Sequence, residues 1–129
     1  MIRNYSKSLP VVLWAFLIFL GSSLPSAKAS DNGVIDFAAH KLAHIVEYGV
    51  LYLLYYRSVA GNFWDQKIEK VLQSLLFIVL YGAFDEYHQS FVPGRSPRAR
   101  DVFIDLLGGI LAYFLWRYLR QKALSKRKN

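Results

Sequence analysis

A chain of 129 residues that is 54% hydrophobic and 16% aromatic has too little polar surface for a comfortable soluble domain, so a small integral membrane protein is the expected class. Its formal charge of +7 is not a nucleic-acid signal, because six of the sixteen Lys and Arg lie in the last thirteen residues, Arg117 to Lys128, as a membrane-flanking basic tail. Without cysteine there is no disulfide framework, thiolate metal site or cysteine nucleophile, and any metal needs His and carboxylate ligands.

The first predicted span covers about residues 9–26. Ser8 to Ala27 carries no charge and includes the apolar run from Val11 to Leu20, enough with its flanks to cross a hydrocarbon core of about 30 Å. Arg3 and Lys7 ahead of that run, with the A-x-A-like Ala27-Lys28-Ala29 behind it, are also marks of a cleavable signal peptide, and both readings stay open. The second span is expected over about 42–60, the third over 68–88 and the fourth over 97–120, all helical by length and lack of internal breakers. Gly61-Asn62 separates the second from the third, and Val92-Pro93-Gly94 is a turn signal between the third and fourth. Ser96-Pro97 fits an N-cap followed by proline at the first helical position. The expected fold is therefore all-α, a single membrane domain over residues 1–129 built as a bundle of four transmembrane helices.

Eleven Lys and Arg fall at the two termini and between spans two and three, against five in the other connections. That bias predicts a multi-pass protein of the cell membrane with both termini in the cytoplasm. Span two then enters from the outer face near Lys41, span three leaves there near Asp85 to His88, and span four re-enters near Asp101. The unusual polar residues converge on the outer leaflet, where ionisable groups have to be justified, since each costs about 2.5–3.5 kcal/mol at mid-membrane.

At about 100° per residue, Lys41, His44 and Tyr48 share one face of span two, with Glu47 on its edge and Tyr55 continuing inward. Tyr81, Asp85 and His88 form a stripe on span three, with Gln89 beside it and Glu86 projecting sideways. Asp101, Asp105, Gly108 and Ala112 share a face of span four, whose small residues permit close helix approach. One reading is mutual neutralisation, with Lys41, Arg95, Arg98 and Arg100 pairing with Glu47, Asp85, Glu86, Asp101 and Asp105. Ion pairs alone could be replaced by apolar packing, however, which favours a functional site.

Asp85, His44, Glu47 and His88 are the candidate catalytic groups, since carboxylates held close can share a proton and act as acid and base. His44 with Glu47 at i, i+3, set against Asp85 and His88, is also a candidate divalent-cation site, without an HExxH-like motif, so metal and cofactor remain unknown. Lys41, Tyr48, Glu86, Gln89, Arg95, Asp101 and Asp105 are the candidate ligand-binding residues. Arg95, after a Pro-Gly turn, suits a two-pronged hold on phosphate or carboxylate; its alternative is a salt bridge to Asp101 or Glu86. Ser90 and Ser96 read as turn or capping residues, and Trp14, Trp64 and Trp116 as interfacial or packed rings. The run Lys122 to Lys128 is expected to meet anionic lipid headgroups.

Taken in order, His40-Lys41-x-x-His44-x-x-x-Tyr48, Asp85-Glu86-x-x-Gln89-x-x-x-Pro93-Gly94-Arg95-Ser96 and Asp101-x-x-x-Asp105-x-x-Gly108 resemble the VanZ-like family over about His40 to Ala112. That family commonly has Asp at the place of His40 and often Asn at the place of Asp105. The resemblance implies a four-helix membrane protein and no known reaction; the founding member is associated with low-level resistance to the glycopeptide teicoplanin. Beside the lipid bilayer, the expected partner is a lipid-linked or wall-related anionic envelope precursor, or a glycopeptide, held by Arg95 and Lys41 at the outer face. The competing expectation is a non-enzymatic helper whose polar network fixes helix packing for a membrane-protein partner. A transporter or proton relay is disfavoured by uncharged inner halves of the spans.

Overall fold

The computed structural model describes residues 2–25, 28–64 and 67–126, with side chains from residue 6 onward. The described residues fold entirely into helices: α1 (Ile2–Ser23), α2 (Gly33–Val59), α3 (Ile68–Gln89) and α4 (Ala99–Lys126). Ala27 of the A-x-A-like site, and Arg127 and Lys128 of the basic tail, lie outside the described residues.

α1 is shifted toward the N-terminus relative to the expected 9–26, and three further boundaries differ from the sequence expectation in α2 and α4. α2 starts at Gly33 rather than near Leu42, because Asn32 caps it, its Oδ1 accepting from Val34 N at 3.0 Å and Ile35 N at 3.3 Å. Hydropathy marks only the uninterrupted apolar part of this helix; its first turns mix Val34, Ile35 and Phe37 with Asp36, His40 and Lys41. α4 starts at Ala99, so Ser96-Pro97 is not its cap. Instead the Arg98 amide donates to Glu86 Oε2 of α3 at 2.7 Å, so a neighbouring helix serves an amide at the start of α4. α4 also continues past Arg120 to Lys126, carrying most of the basic tail as helix.

The connection between α3 and α4 turns at Val92-Pro93-Gly94-Arg95. Arg95 N donates to Val92 O at 3.1 Å, and Gly94 has φ +81°, a conformation that glycine adopts without strain at the third position of such a turn.

α2 is central and touches all three other helices, whereas α1 packs against α2 and α3 and makes no contact with α4 among the described residues. The closest approach is between α2 and α4. A Cβ on Gly108 would be driven into the Ile45 carbonyl oxygen, and one on Gly49 would lie 3.2 Å from Gly108 O. The small-residue face expected on the fourth span therefore sits directly on α2, with Ala112 also within contact of Gly49.

The two ends of this bundle differ in content. Toward the end of α2, Leu51, Tyr52, Tyr56, Ile78 and Trp116 form a buried cluster, with the Tyr56 and Phe63 rings each 5.3 Å from Trp116. At the opposite end the buried residues are Asp85, Glu86, Gln89, Asp101 and Asp105. Outward-facing positions on all four helices are large and apolar, among them Phe16, Leu42, Leu76, Leu80, Leu107 and Leu115. By length and composition, α1 over Ser6–Ser23 and α4 are apolar enough to cross a membrane, while α2 and α3, which bear most of the polar stripes, do not meet that measure.

Candidate functional site

The N-terminal end of α2, the C-terminal end of α3, the N-terminal end of α4 and the connection 90–98 meet around a polar pocket of about 370 Å³. Its wall includes Lys41, Arg95 and Arg98, three cations against the carboxylates of Asp36 and Asp101, with His40 and His44 between them. A smaller cavity of about 130 Å³ lies between α1 and α2 and shares His40, His44 and Arg95 with the first; Glu47 and Ser22 face it.

Behind the pocket the polar stripes interlock. Lys41 Nζ lies 2.6 Å from Asp101 Oδ1, a close ion pair without hydrogen-bond alignment. One helical turn deeper, His44 Nδ1 meets Asp105 Oδ1 at 2.8 Å, and Asp105 is fully buried. The tautomer follows from the partner, because a carboxylate accepts and Nδ1–H must donate. Asp105 Oδ2 lies against the backbone of Gly82, where an added Cβ would sit 2.9 Å from it, so a glycine on α3 makes room for this carboxylate. Deeper still, Tyr48 OH donates to Asp85 Oδ2 at 3.2 Å, and Gln89 Nε2 donates to the same oxygen at 3.0 Å. Asp85 Oδ1 and Asp105 Oδ2 are buried with no hydrogen-bond partner among the described residues.

Several predicted roles move. Arg95 forms neither expected ion pair: its Nε donates to Leu24 O at 3.1 Å and its Nη2 to Gly21 O at 3.0 Å. It thus binds the carbonyl end of α1, where a cation is electrostatically favoured, while the guanidinium still borders both cavities. His88 turns toward α1, with Nε2 2.9 Å from Ser23 Oγ and its ring 4.3 Å from that of Phe19. Since the Ser23 hydroxyl donates to Phe19 O at 2.7 Å, the His88 nitrogen is the donor to Ser23. His88 is thus drawn toward α1 and away from the other three candidates, and no group of three or more His, Asp or Glu arranged for a metal occurs among the described residues. Glu86 is the helix-start acceptor described above rather than a pocket residue. Arg100 lies 3.9 Å from Asp101 and over the Phe37 ring.

Sequence reasoning missed Asp36, Phe37 and Arg98 as pocket residues, treated His40 only as a variation in a motif, and left out Ser22 and Ser23. The signal for the first group was available in the spacing 36, 40, 44, which places Asp36, His40 and His44 on one helical face. It was hidden because the span was read from its apolar part alone. The serines gave no signal, since α1 looks uniformly apolar until the polar ends of α3 reach it.

A family model described as VanZ/LLP1 matches residues 7–120. No curated protein and no solved structure matches the chain.

Proposed function

This chain belongs to the VanZ/LLP1 family, and from that premise we propose that it is a multi-pass protein of the cell membrane whose outer-face pocket binds a lipid-linked or wall-related anionic ligand. The four helices each cross the bilayer, with both termini in the cytoplasm, as the distribution of Lys and Arg indicates. Support comes from the inside-out distribution of side chains: large apolar residues cover the exterior of all four helices while carboxylates occupy the interior. In this orientation the polar pocket opens at the outer leaflet, and resistance to teicoplanin-type glycopeptides follows from an envelope task performed there.

The observation that carries the reading is the excess of cationic groups in the pocket, Lys41, Arg95 and Arg98, backed by Asp105 and Asp85 that no solvent reaches. Side chains needed only to hold helices together would be easier to insert if replaced by apolar ones. The test is glycopeptide susceptibility of a Gram-positive host expressing the intact chain, His44→Ala or Asp85→Asn, with membrane abundance measured for each. Protection lost at normal abundance is the expected result; protection kept at normal abundance in both variants refutes the site.

A second reading, a non-enzymatic helper acting through a partner protein, is favoured by one fact: Asp85, Glu86, Asp101 and Asp105 each already have a partner within the bundle. There, activity and abundance fall together in both variants.

A further inference from the structure

The His44–Asp105 pair is built differently from the other contacts of the polar end. Asp105 is wholly buried, its carboxylate fixes Nδ1 of His44, and the ring lies on the wall of both cavities. No hydrogen bond from a described residue occupies Nε2, and this atom is not among the buried nitrogens and oxygens left without a partner, so it faces open space. In the neutral ring, with Nδ1–H donating to Asp105, Nε2 carries the lone pair. A histidine oriented by a buried carboxylate, with its basic nitrogen turned into a cavity, is arranged to accept a proton. Lys41, Arg95 and Arg98, within the same wall, are suited to anionic oxygens.

Resting on the reading of an outer-face anion site, we propose that the pocket hydrolyses a lipid-linked diphosphate, with His44 as general base, Asp105 as its positioning residue, and Arg95 and Arg98 holding the phosphate oxygens. Water attacks the terminal phosphorus and gives its proton to His44 Nε2. The bridging P–O bond breaks, and its electron pair leaves on the oxygen of the lipid monophosphate. The products are that monophosphate and inorganic phosphate, and the proton passes from His44 to solvent. The choice of an anhydride over a phosphate ester follows from the leaving group. A departing phosphate needs only cationic stabilisation, which Arg95 and Arg98 supply, whereas an alkoxide needs a proton donor opposite the base. The carboxylates that line the pocket, Asp36 and Asp101, are already engaged by His40 and Lys41.

The experiment uses the full chain, purified in lipid nanodiscs, with farnesyl diphosphate and inorganic pyrophosphate as the two probes. Phosphate release and protection against thermal unfolding are both recorded. The expected result is release from farnesyl diphosphate, with kcat lowered about 100-fold or more in His44→Ala and partly restored by added imidazole. Asp105→Asn lowers kcat while leaving KM unchanged, as a loss of positioning and not of binding. Equal turnover of pyrophosphate keeps the dyad and assigns the free anion in place of the lipid. Thermal protection by farnesyl diphosphate without phosphate release leaves the anion site standing and overturns the dyad. Neither protection nor release overturns both.

Discussion

The aromatic end and the charged end of this bundle hold the same helices together by opposite means. Around Trp116, rings from α2, α4 and the connection after α2 fill space, and their contribution scales with the area taken from solvent. Around Asp105, four carboxylates are held by individually placed partners, and each keeps one buried oxygen without a hydrogen bond among the described residues. The lesson lies in what each end tolerates. A ring can be exchanged for another apolar group at the cost of packing, but a buried carboxylate cannot lose its donor without leaving a charge stranded. Specific chemistry is therefore concentrated at the end that is harder to build.

The comparison breaks most visibly at the aromatic end. Trp116→Ala removes a side chain that is 6% exposed and packed by several rings, and should cost about 3–5 kcal/mol of stability. In detergent this is expected as a large fall in melting temperature, with glycopeptide protection per folded molecule unchanged. A loss of protection per folded molecule would show that the two ends are not functionally separate. Next in size is Gly108→Ala, whose new methyl group meets the Ile45 backbone and forces α2 and α4 apart, at about 1–3 kcal/mol. Because this contact lies just below the His44–Asp105 pair, both stability and protection should drop, and an unchanged melting temperature would contradict the close approach.

Tyr48→Phe sharpens the comparison at the charged end. It deletes one donor to Asp85 Oδ2 while Gln89 Nε2 continues to serve that oxygen, so a loss of about 1 kcal/mol is expected by denaturation. A loss as large as that of Trp116→Ala would mean that the network behaves as one cooperative unit. The smallest effect belongs to Leu115→Ala, on the outward face of α4 and 58% exposed, which should stay within about 0.5 kcal/mol. A large destabilisation there would place a protein partner against α4 in place of lipid.

Much of the polar end was legible in advance because helical periodicity is rigid. Once Lys41, His44 and Tyr48 fall on one face, and Asp101, Asp105 and Gly108 on another, pairing Lys41 with Asp101 and His44 with Asp105 needs only that the two faces meet. Gly108 signalled that meeting. What spacing cannot give is the rotation of a third helix relative to the first two. Asp85 and His88 belong to one stripe, yet Asp85 faces Tyr48 on α2 while His88 faces Ser23 on α1. Arg95 was misjudged for a related reason. A residue after a turn is free to swing, and the carbonyls of Gly21 and Leu24 at the end of α1, invisible in the sequence as acceptors for it, draw it away from the acids. The early start of α2 was missed because hydropathy reports where a helix is apolar and not where its backbone is capped.

The way α1 is attached has a consequence for how the molecule could be taken apart. α2, α3 and α4 are in mutual contact and contain the Lys41–Asp101 ion pair and the His44–Asp105 hydrogen bond, whereas α1 rests on the outside of α2 and α3. Its fastenings are hydrogen bonds such as Tyr81 OH to Ala15 O at 2.6 Å, Trp14 Nε1 to Glu47 O at 2.9 Å and the two from Arg95 in the connection between α3 and α4. The protein is thus a three-helix body with a clip-on side wall. Severing the chain between residues 25 and 28 and supplying the pieces as separate polypeptides should still yield an assembled molecule, detectable by co-purification. Withholding the first piece should open the smaller cavity to lipid while leaving the charged pairs in place.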